Sequence, residues 1–400
     1  MDSSELLPVG RRVAYWRGRR KLSQQVFADR LGKSKSWVDK VERGVRALDK
    51  VSALQDIAAV LRIDSAVLLG RDARPADVTQ RAEGVDRIRA ALSTYDIALG
   101  RSAARCPGLP AVRLAGGVAH AWTTFQHARY PQLSALVPGV LADAQRCHAD
   151  DPGAGRALLV EAYRVTASLL VKLGEADLAW LAADRAVAVA TGDPVLVAAA
   201  AVQLGEVLRA SGRARAAMST ALAAAYRIAP PNPDDARPAE LSLCGTLLVQ
   251  AALAAARHGD ARATAELIGE AADMALRVGE GHDHHRTGFG PTAVDLARVV
   301  AALELGDAGE AVAWHEKTTS RDAWRWLPAE HRAAHLLDAA RAYLQADDPA
   351  NAGRVLVDAD RIAPAELRHR PAARDVVARV ARDPHAPATI IQLAVALGVT

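Results

Sequence analysis

A short polar turn recurs five times in the second half of the chain, and its spacing constrains the fold of that half. The turn residues lie 38, 47, 47 and 41 positions apart. They are Gly174, Gly212, Gly259, Gly306 and Asp347. A small residue follows five positions after each turn, at Ala179, Ala217, Thr264, Ala311 and Ala352. Because a small side chain lets two helices approach closely, the pattern predicts repeated pairs of helices joined by tight turns.

The segments between these turns are rich in Ala and Leu and show a helical period, with almost no alternation of β-branched residues. The repeat resembles tetratricopeptide-like arrays, although its periods exceed the roughly 34 residues of that class. The resemblance implies an α-solenoid over residues 120–400. Such a solenoid exposes a curved concave face that suits an extended ligand or a partner helix.

Two short helices joined by a tight turn are predicted near the start of the chain, over residues 22–44. Ser23 can cap the first helix, Gly32 ends it, and Ser34 can cap the second. The inward side chains of the second helix are Trp37, Val38 and Val41. Its outward side chains are Lys35, Ser36, Asp39, Lys40 and Arg43. This is the layout of a helix-turn-helix that reads the major groove of DNA.

The charge of the chain is concentrated at the same end. Residues 10–50 contain 13 Lys and Arg against 4 Asp and Glu, whereas the whole chain carries a formal net charge of +4. Since the first fifty residues sum to +7, the other 350 carry a net charge of −3. This asymmetry indicates one unit that neutralises phosphates and a second unit with another role.

The basic segment resembles the Xre-type, lambda-repressor-like helix-turn-helix family across residues 10–70. The residues that match are Leu22, Ser23, Gln24, Ala28, Leu31, Gly32, Ser34, Ser36, Val38, Val41, Glu42, Arg43 and Gly44. The resemblance implies a five-helix domain over residues 1–70, with a fifth helix around residues 67–70. It also implies that Gln24 braces the recognition helix, that Lys35, Ser36 and Asp39 read bases, and that Lys40 and Arg43 contact phosphates or bases.

Several of these residues have two interpretations. Lys35 can donate to guanine, and Asp39 either accepts from cytosine N4 or forms an ion pair with Arg43 one turn later. Trp37, where the family has a smaller residue, is either part of the core or in contact with a thymine methyl group or a sugar. The basic residues of the first helix either contact phosphates or form a solvated face, and we favour phosphate contact, with Arg12 and Arg19 as the residues to test. These residues are Arg11, Arg12, Arg17, Arg19, Arg20 and Lys21.

Other segments indicate no chemistry. Residues 71–119 are predicted to form a linker and a connecting helix, which we place at residues 85–99. The loop at His282, His284 and His285 is either a metal site or a polar loop, and we favour the loop because adjacent side chains converge poorly on one ion. The three cysteines are too few and too far apart for a disulfide framework. No catalytic or nucleotide-binding motif is present, so we predict no enzyme activity, metal or cofactor.

The whole layout resembles large actinobacterial-style regulators, particularly through residues 172–180 and 288–292, and also peptide-pheromone sensing regulators. It implies a cytoplasmic, nucleoid-associated regulator that binds double-stranded DNA as a homodimer and does not contact a membrane. The second half then senses a peptide, a small molecule or a protein in its groove. The alternative is a protein-interaction scaffold whose first domain binds DNA weakly or not at all.

Overall fold

The computed structural model describes residues 9–46, 48, 51–61, 63, 68, 76–95, 109–232, 235–383, 386 and 388–399. Every regular element in these residues is a helix, which confirms the predicted all-α fold class. Contacts between Cα atoms divide the chain into two compact units, residues 1–79 (the smaller unit) and residues 80–400 (the larger unit). The domain boundaries that we place at residues 70 and 119 stay a prediction.

Four helices are described in the smaller unit. They are α1 (Val9–Arg19), α2 (Gln24–Leu31), α3 (Lys35–Glu42) and α4 (Val51–Leu61). The predicted fifth helix lies largely outside the described residues. Phe27, Val38 and Leu61 are fully buried in the core between the four helices. Gly10 is required where α1 meets α3, because a Cβ atom there would lie 2.0 Å from the carbonyl oxygen of Val41.

Sixteen further α-helices follow in the described residues. They are α5 (Ala76–Leu92), α6 (Ala111–Gln126), α7 (Tyr130–Asp150), α8 (Pro152–Lys172), α9 (Ala176–Ala190), α10 (Pro194–Ala210), α11 (Ala214–Ile228), α12 (Pro238–Arg257), α13 (Ala261–Val278), α14 (Pro291–Leu305), α15 (Ala308–Thr319), α16 (Ala329–Gln345), α17 (Pro349–Ile362), α18 (Pro364–Arg368), α19 (Pro371–Ala381) and α20 (Ala388–Leu397). Helix α5 packs Val85, Ile88 and Leu92 into the core of the larger unit, within the segment predicted to be a linker.

The five predicted turns each join two helices that pack against each other, from α8 with α9 to α16 with α17. Gly174, Gly212, Gly259 and Gly306 have φ angles between +74° and +86°, in the left-handed region where glycine is favoured. The fifth turn reaches φ +59° with Asp347 instead. All five small residues that follow the turns are buried. The prediction of a helical-repeat region is therefore confirmed.

The array is closed, because the first helix pair meets the fifth. The Lys172 ammonium at the end of α8 forms an ion pair with Glu330 at the start of α16 and lies 3.0 Å from Glu366 in α18. The Tyr130 hydroxyl donates to the same carboxylate of Glu366, and Arg370 lies 3.3 Å from it. The sequence predicts a concave face, and these buried contacts join the first and fifth helix pairs beside it.

The segment between α13 and α14 (the inner segment) packs against the inner helices of the array through Phe289, whereas residues 281–283 and Arg286 are exposed. Phe289 packs against α12 at Gly245, where a Cβ atom would lie 2.1 Å from the ring. The Arg164 guanidinium, which is fully buried, donates to the His285 carbonyl at 2.9 Å. Gln126 donates to Asp283 at 2.8 Å. These contacts tie the segment to helices α6, α8 and α12 and reduce the space inside the array.

Helix α12 (Pro238–Arg257) is, among the described residues, the one helix long and apolar enough to cross a membrane by length and composition. Of its most apolar stretch, 78% is buried inside the protein. Both its neighbours, α11 and α13, and the inner segment at Phe289 cover it. The apolar composition of α12 is therefore accounted for by its place in the core.

A buried pair of imidazoles joins α15 to α16. The His315 Nδ1 atom lies 2.9 Å from the His335 Nε2 atom, and both residues are less than 5% exposed. Burial lowers the pKa of His315 to about 4 and that of His335 to about 3. The folded array therefore holds both rings neutral at pH values where an unfolded chain protonates them.

We expect the larger unit to lose stability as the pH falls from 7 to 5.5. Below the ordinary histidine pKa of about 6.5 the unfolded chain binds protons at these two histidines, whereas the folded pair stays neutral. The free energy of unfolding therefore falls by about 1 kcal/mol for each ring over this interval. Urea unfolding followed at each pH measures the loss. His335→Gln is expected to flatten the slope, and His127→Gln, at an exposed ring, to leave it unchanged. Equal slopes in all three proteins would contradict the prediction.

Candidate functional site

Helix α3 presents a polar face to solvent and an apolar face to the core. The Ser34 hydroxyl accepts from the Trp37 backbone N–H at 3.1 Å and so caps the helix. Val38 and Val41 are buried against the core, as the sequence predicts for the inward face. The exposed residues among the predicted contacts are Ser34, Lys35, Ser36, Lys40 and Arg43, and Asp39 is half-buried. The helix therefore offers adjacent donors and acceptors on one face.

A buried ion-pair cluster holds α3 against α1 and α2. Arg17 contacts Glu42 in a bidentate arrangement, with Nε–Oε1 at 2.6 Å and Nη2–Oε2 at 2.9 Å. The Gln24 side-chain amide donates to Glu42 Oε2 at 2.8 Å. The hydrogen bonds with Glu42 raise the pKa of Arg17 despite its partial burial. Gln24 thus contacts the end of the recognition helix, in the position where the family resemblance puts a bracing glutamine.

Sequence reasoning missed the part that Arg17 and Glu42 play. Arg17 belongs to the basic run of α1, for which we predict phosphate contact, but its guanidinium points into the domain and is 17% exposed. Its third interaction is a hydrogen bond from Nη1 to the Leu22 carbonyl at 2.8 Å. The available signal is Glu42, an acidic residue at the end of α3 on the side that carries the inward residues Val38 and Val41. This is a correction to the phosphate role predicted for Arg17.

The two first-helix residues predicted to contact phosphates lie in different surroundings. Arg12 is half-buried, and its Nη1 donates to the Leu68 carbonyl at 3.2 Å. Arg19 is exposed, with its guanidinium 5.3 Å from the centre of the Trp16 ring and its Nη1 3.2 Å from the Tyr15 hydroxyl. Arg19 therefore presents charge at the surface, whereas Arg12 contributes to the packing of the domain.

Asp39 and Trp37, for which the sequence leaves two interpretations open, each contact other residues of the smaller unit. The Asp39 carboxylate forms an ion pair with Arg43 at 2.7 Å, which is the bridged arrangement of the two alternatives. Both side chains are substantially exposed, so the pair contributes little to stability and can exchange partners. Trp37 is half-buried against the core of the smaller unit, with Arg46 at 6.0 Å over its ring.

The histidine loop is used for packing. The rings of His282 and His284 stack with their centres 5.5 Å apart, and the backbone N–H of Gly288 donates to Asp283 at 3.1 Å. Burial, and then the charge of Arg164, lowers the pKa of His285. In the described part of the chain no three His, Cys, Asp or Glu side chains come together as a metal would require. The loop gives no ground for proposing a metal.

A cavity of about 410 Å³ lies inside the larger unit. Helices α6, α8, α10, α12, α14 and α16 and the inner segment before α14 contribute to its wall. One part of the wall is apolar and includes Val202, Leu253, Phe289 and Val300. Another part is charged, with both signs represented. Its volume falls within the range of small-molecule sites, about 300–1,000 Å³.

Comparisons with known proteins identify the domain that carries α3. Residues 8–69 match a family model described as a helix-turn-helix domain, so the chain carries such a domain at this end. No curated protein sequence matches the chain. The crystal structure of BtubC (BKLC) from P. vanneervenii is similar at 19% identity and a TM-score of 0.39, over 62% of this chain and 90% of that chain.

A second solved structure is Bacillus thuringiensis PlcR in complex with the peptide PapR7 and DNA. It is 11% identical, with a TM-score of 0.34, over 78% of this chain and 96% of that chain. At these TM-scores neither overlay carries an argument about the fold or the function. The helix-turn-helix match and the geometry of α1–α3 are therefore what supports a functional proposal.

Proposed function

We propose that the protein is a sequence-specific DNA-binding transcriptional regulator. The observation that carries this proposal is the exposed polar face of α3, which the buried Arg17–Glu42 pair holds in place within a helix-turn-helix domain. The major groove of DNA is wide enough to admit an α-helix. A helix held in a fixed position can place its first residues against base edges there. The basic excess of residues 10–50 supports the proposal, because phosphate neutralisation supplies much of the affinity.

Individual residues take different parts in this proposal. Lys35, Ser36 and Asp39 read base edges, with Asp39 released from Arg43 on binding. Lys40, Arg43, Arg19 and Arg12 contact phosphates, and Arg19 is the better test because Arg12 also holds the Leu68 carbonyl. Gln24 and Ser34 position the helix through the Glu42 contact and the cap.

The larger unit completes the proposal. A single recognition helix reads too few base pairs for useful discrimination, so we place the regulator on an inverted repeat as a homodimer. The tetratricopeptide-like array sets the dimer and senses an effector, with the protein in the cytoplasm on the nucleoid and no enzymatic step. An effector changes operator affinity only if it binds two arrangements of the protein unequally.

We expect Lys35→Ala and Arg19→Ala to change DNA binding in different ways. Lys35→Ala erodes the preference between duplexes because it removes a base contact. Arg19→Ala weakens all duplexes alike and lowers the slope of log K against log salt by up to about one unit. Selection from a random duplex library, followed by titration of the selected and scrambled duplexes, measures both effects.

The matched control is Arg262→Ala, which removes an exposed ion pair on α13 far along the chain. It is expected to leave both the preference and the salt slope unchanged. If the unaltered protein selects no duplex over random competitor, the DNA-binding proposal is wrong and a protein-interaction scaffold becomes the better description. If Lys35→Ala keeps the full preference, the base-reading role of that residue is wrong.

A further inference from the structure

The charged wall of the interior cavity is formed by the last turns of neighbouring inner helices. Arg209 stands at the end of α10, Arg257 at the end of α12 and Glu304 at the end of α14. Asp338 and Arg341 face them from α16. Charged groups on an inner surface are costly to desolvate unless they are paired, so each needs a partner.

Most of these charges have partners within the protein. Arg341 lies 3.2 Å from Asp338 and 3.8 Å from Glu304, and therefore engages both carboxylates. Lys172 is engaged by Glu330 and Glu366 where the array closes. Among the described residues of this wall, the groups without an ion pair are the guanidinium groups of Arg209 and Arg257 and the carboxylate of Glu206.

Arg209 is a partly buried arginine of this wall that has no carboxylate partner in the described residues. In the described residues no carboxylate oxygen lies within 4.0 Å of its nitrogen atoms. Burial lowers the pKa of Arg209, and the nearby positive charge of Arg257 lowers it further. The carboxylates of Glu206, Asp338 and Glu304 raise it, but the net change is a decrease. Burial also raises the pKa of Glu206, the nearest counter-charge on the same helix. Over the whole cavity lining, six Lys and Arg side chains stand against four Asp and Glu.

The rest of the wall indicates what an occupant requires. Val202, Val249 and Leu253 line the cavity near these arginines and favour an apolar body. Gln250 turns its Nε2 to Glu206 at 3.5 Å, and its buried Oε1 has no hydrogen-bond partner in the part of the chain that the structure describes. An occupant with an N–H or O–H group can therefore donate to Gln250.

A singly charged anion suits this site better than a phosphate. The arginines stand at the carboxyl-terminal ends of helices, where the helix dipole places partial negative charge. Glu206, Glu304 and Asp338 add further negative charge around Arg209. These negative groups repel a dianion more strongly than a singly charged carboxylate, which can pair with the guanidinium groups.

We propose that the cavity binds a small ligand through a carboxylate held by Arg209 and Arg257, with its apolar body against Val202 and Leu253. This inference rests on the proposed effector-sensing function of the larger unit and names the chemistry of the effector. The carboxylate belongs either to a free organic acid or to the C-terminus of a short peptide, and both present the same group to the arginines.

Isothermal titration calorimetry on the full chain without DNA tests the proposal. The probes are octanoate, 1-octanol, the tripeptide Leu-Leu-Leu, its C-terminal amide and inorganic phosphate. We expect octanoate, the free tripeptide or both to bind, and 1-octanol and the amide not to bind. Arg209→Gln is expected to raise the Kd of the bound probe at least about tenfold, as the loss of a charge-assisted hydrogen bond predicts.

The matched control is Arg262→Gln, in which an exposed arginine outside the cavity changes in the same way. It should leave the Kd unchanged, and melting followed by circular dichroism should show that both variants fold. Equal binding of neutral and charged probes, binding of phosphate that depends on Arg209, or no binding by any probe would each overturn the proposal. Because no DNA is present, these outcomes are independent of the duplex selection that tests the regulator function.

Discussion

Glu42→Ala is expected to abolish duplex binding and to destabilise the smaller unit by about 1.5–3 kcal/mol, the order expected for the loss of hydrogen bonds between charged groups in a partly buried ion pair. The change removes the acceptor of three hydrogen bonds, two from Arg17 and one from Gln24. It leaves the Arg17 guanidinium, 17% exposed, without its carboxylate. Helix α3 then loses the polar contacts that hold it to α1 and α2 and keeps only its apolar packing, so its outward face is less firmly positioned.

Hydrogen–deuterium exchange of peptides covering residues 9–46 measures this effect without interference from the larger unit. The matched control is Asp39→Ala, which also removes a carboxylate from α3 but breaks an exposed pair worth about 0–1 kcal/mol. A double variant, Arg17→Met with Glu42→Leu, should recover much of the stability because it leaves no unpaired charge. Unchanged protection of α3 in Glu42→Ala would contradict the bracing role.

Lys172→Met is expected to destabilise the larger unit by about 3 kcal/mol, because it leaves the buried Glu330 without its lysine and Glu366 with Arg370 as its remaining ion-pair partner. Glu330 is 4% exposed and Glu366 is fully buried. Burial lowers the pKa of Lys172, but the charges of Glu330 and Glu366 outweigh this and raise it overall. The ammonium is therefore held charged between the carboxylates where the first and fifth helix pairs meet.

Urea unfolding followed by far-ultraviolet circular dichroism measures the free energy of the Lys172→Met variant. The matched control is Lys317→Met, in which an exposed ammonium 4.2 Å from the centre of the Trp314 ring is replaced by the same side chain. That contact is worth about 0.5–1 kcal/mol. Similar losses in the two variants would show that the closure contacts do not stabilise the array as we expect.

Local features of this fold follow from the sequence. Ser34 caps α3 because a hydroxyl at that position accepts a backbone N–H, and four of the repeat turns contain a glycine with positive φ. Each of these signals depends on residues within a few positions of one another. For the same reason the inward and outward faces of α3 could be predicted from its period.

Contacts between distant residues could not be predicted in this way. Arg17 and Glu42 are 25 positions apart, and Tyr130 and Glu366 are 236 apart. An arginine in a basic run has the same local sequence whether it faces solvent or a buried carboxylate. Whether the first helix pair meets the fifth depends on the rotation accumulated over all five pairs, to which each pair contributes a small angle. A single sequence therefore predicted the repeat but not its closure.

The junction between Lys172 and the carboxylates of Glu330 and Glu366 fixes the number of repeats. Open stacks of helix pairs tolerate the insertion or deletion of a unit, since each unit touches its neighbours alone. In this protein the loss of one pair would carry both carboxylates away from the ammonium and leave Lys172 and Glu330 without their ion pair. Descendants of this chain can lengthen their loops, but they cannot change their repeat count without rebuilding that junction.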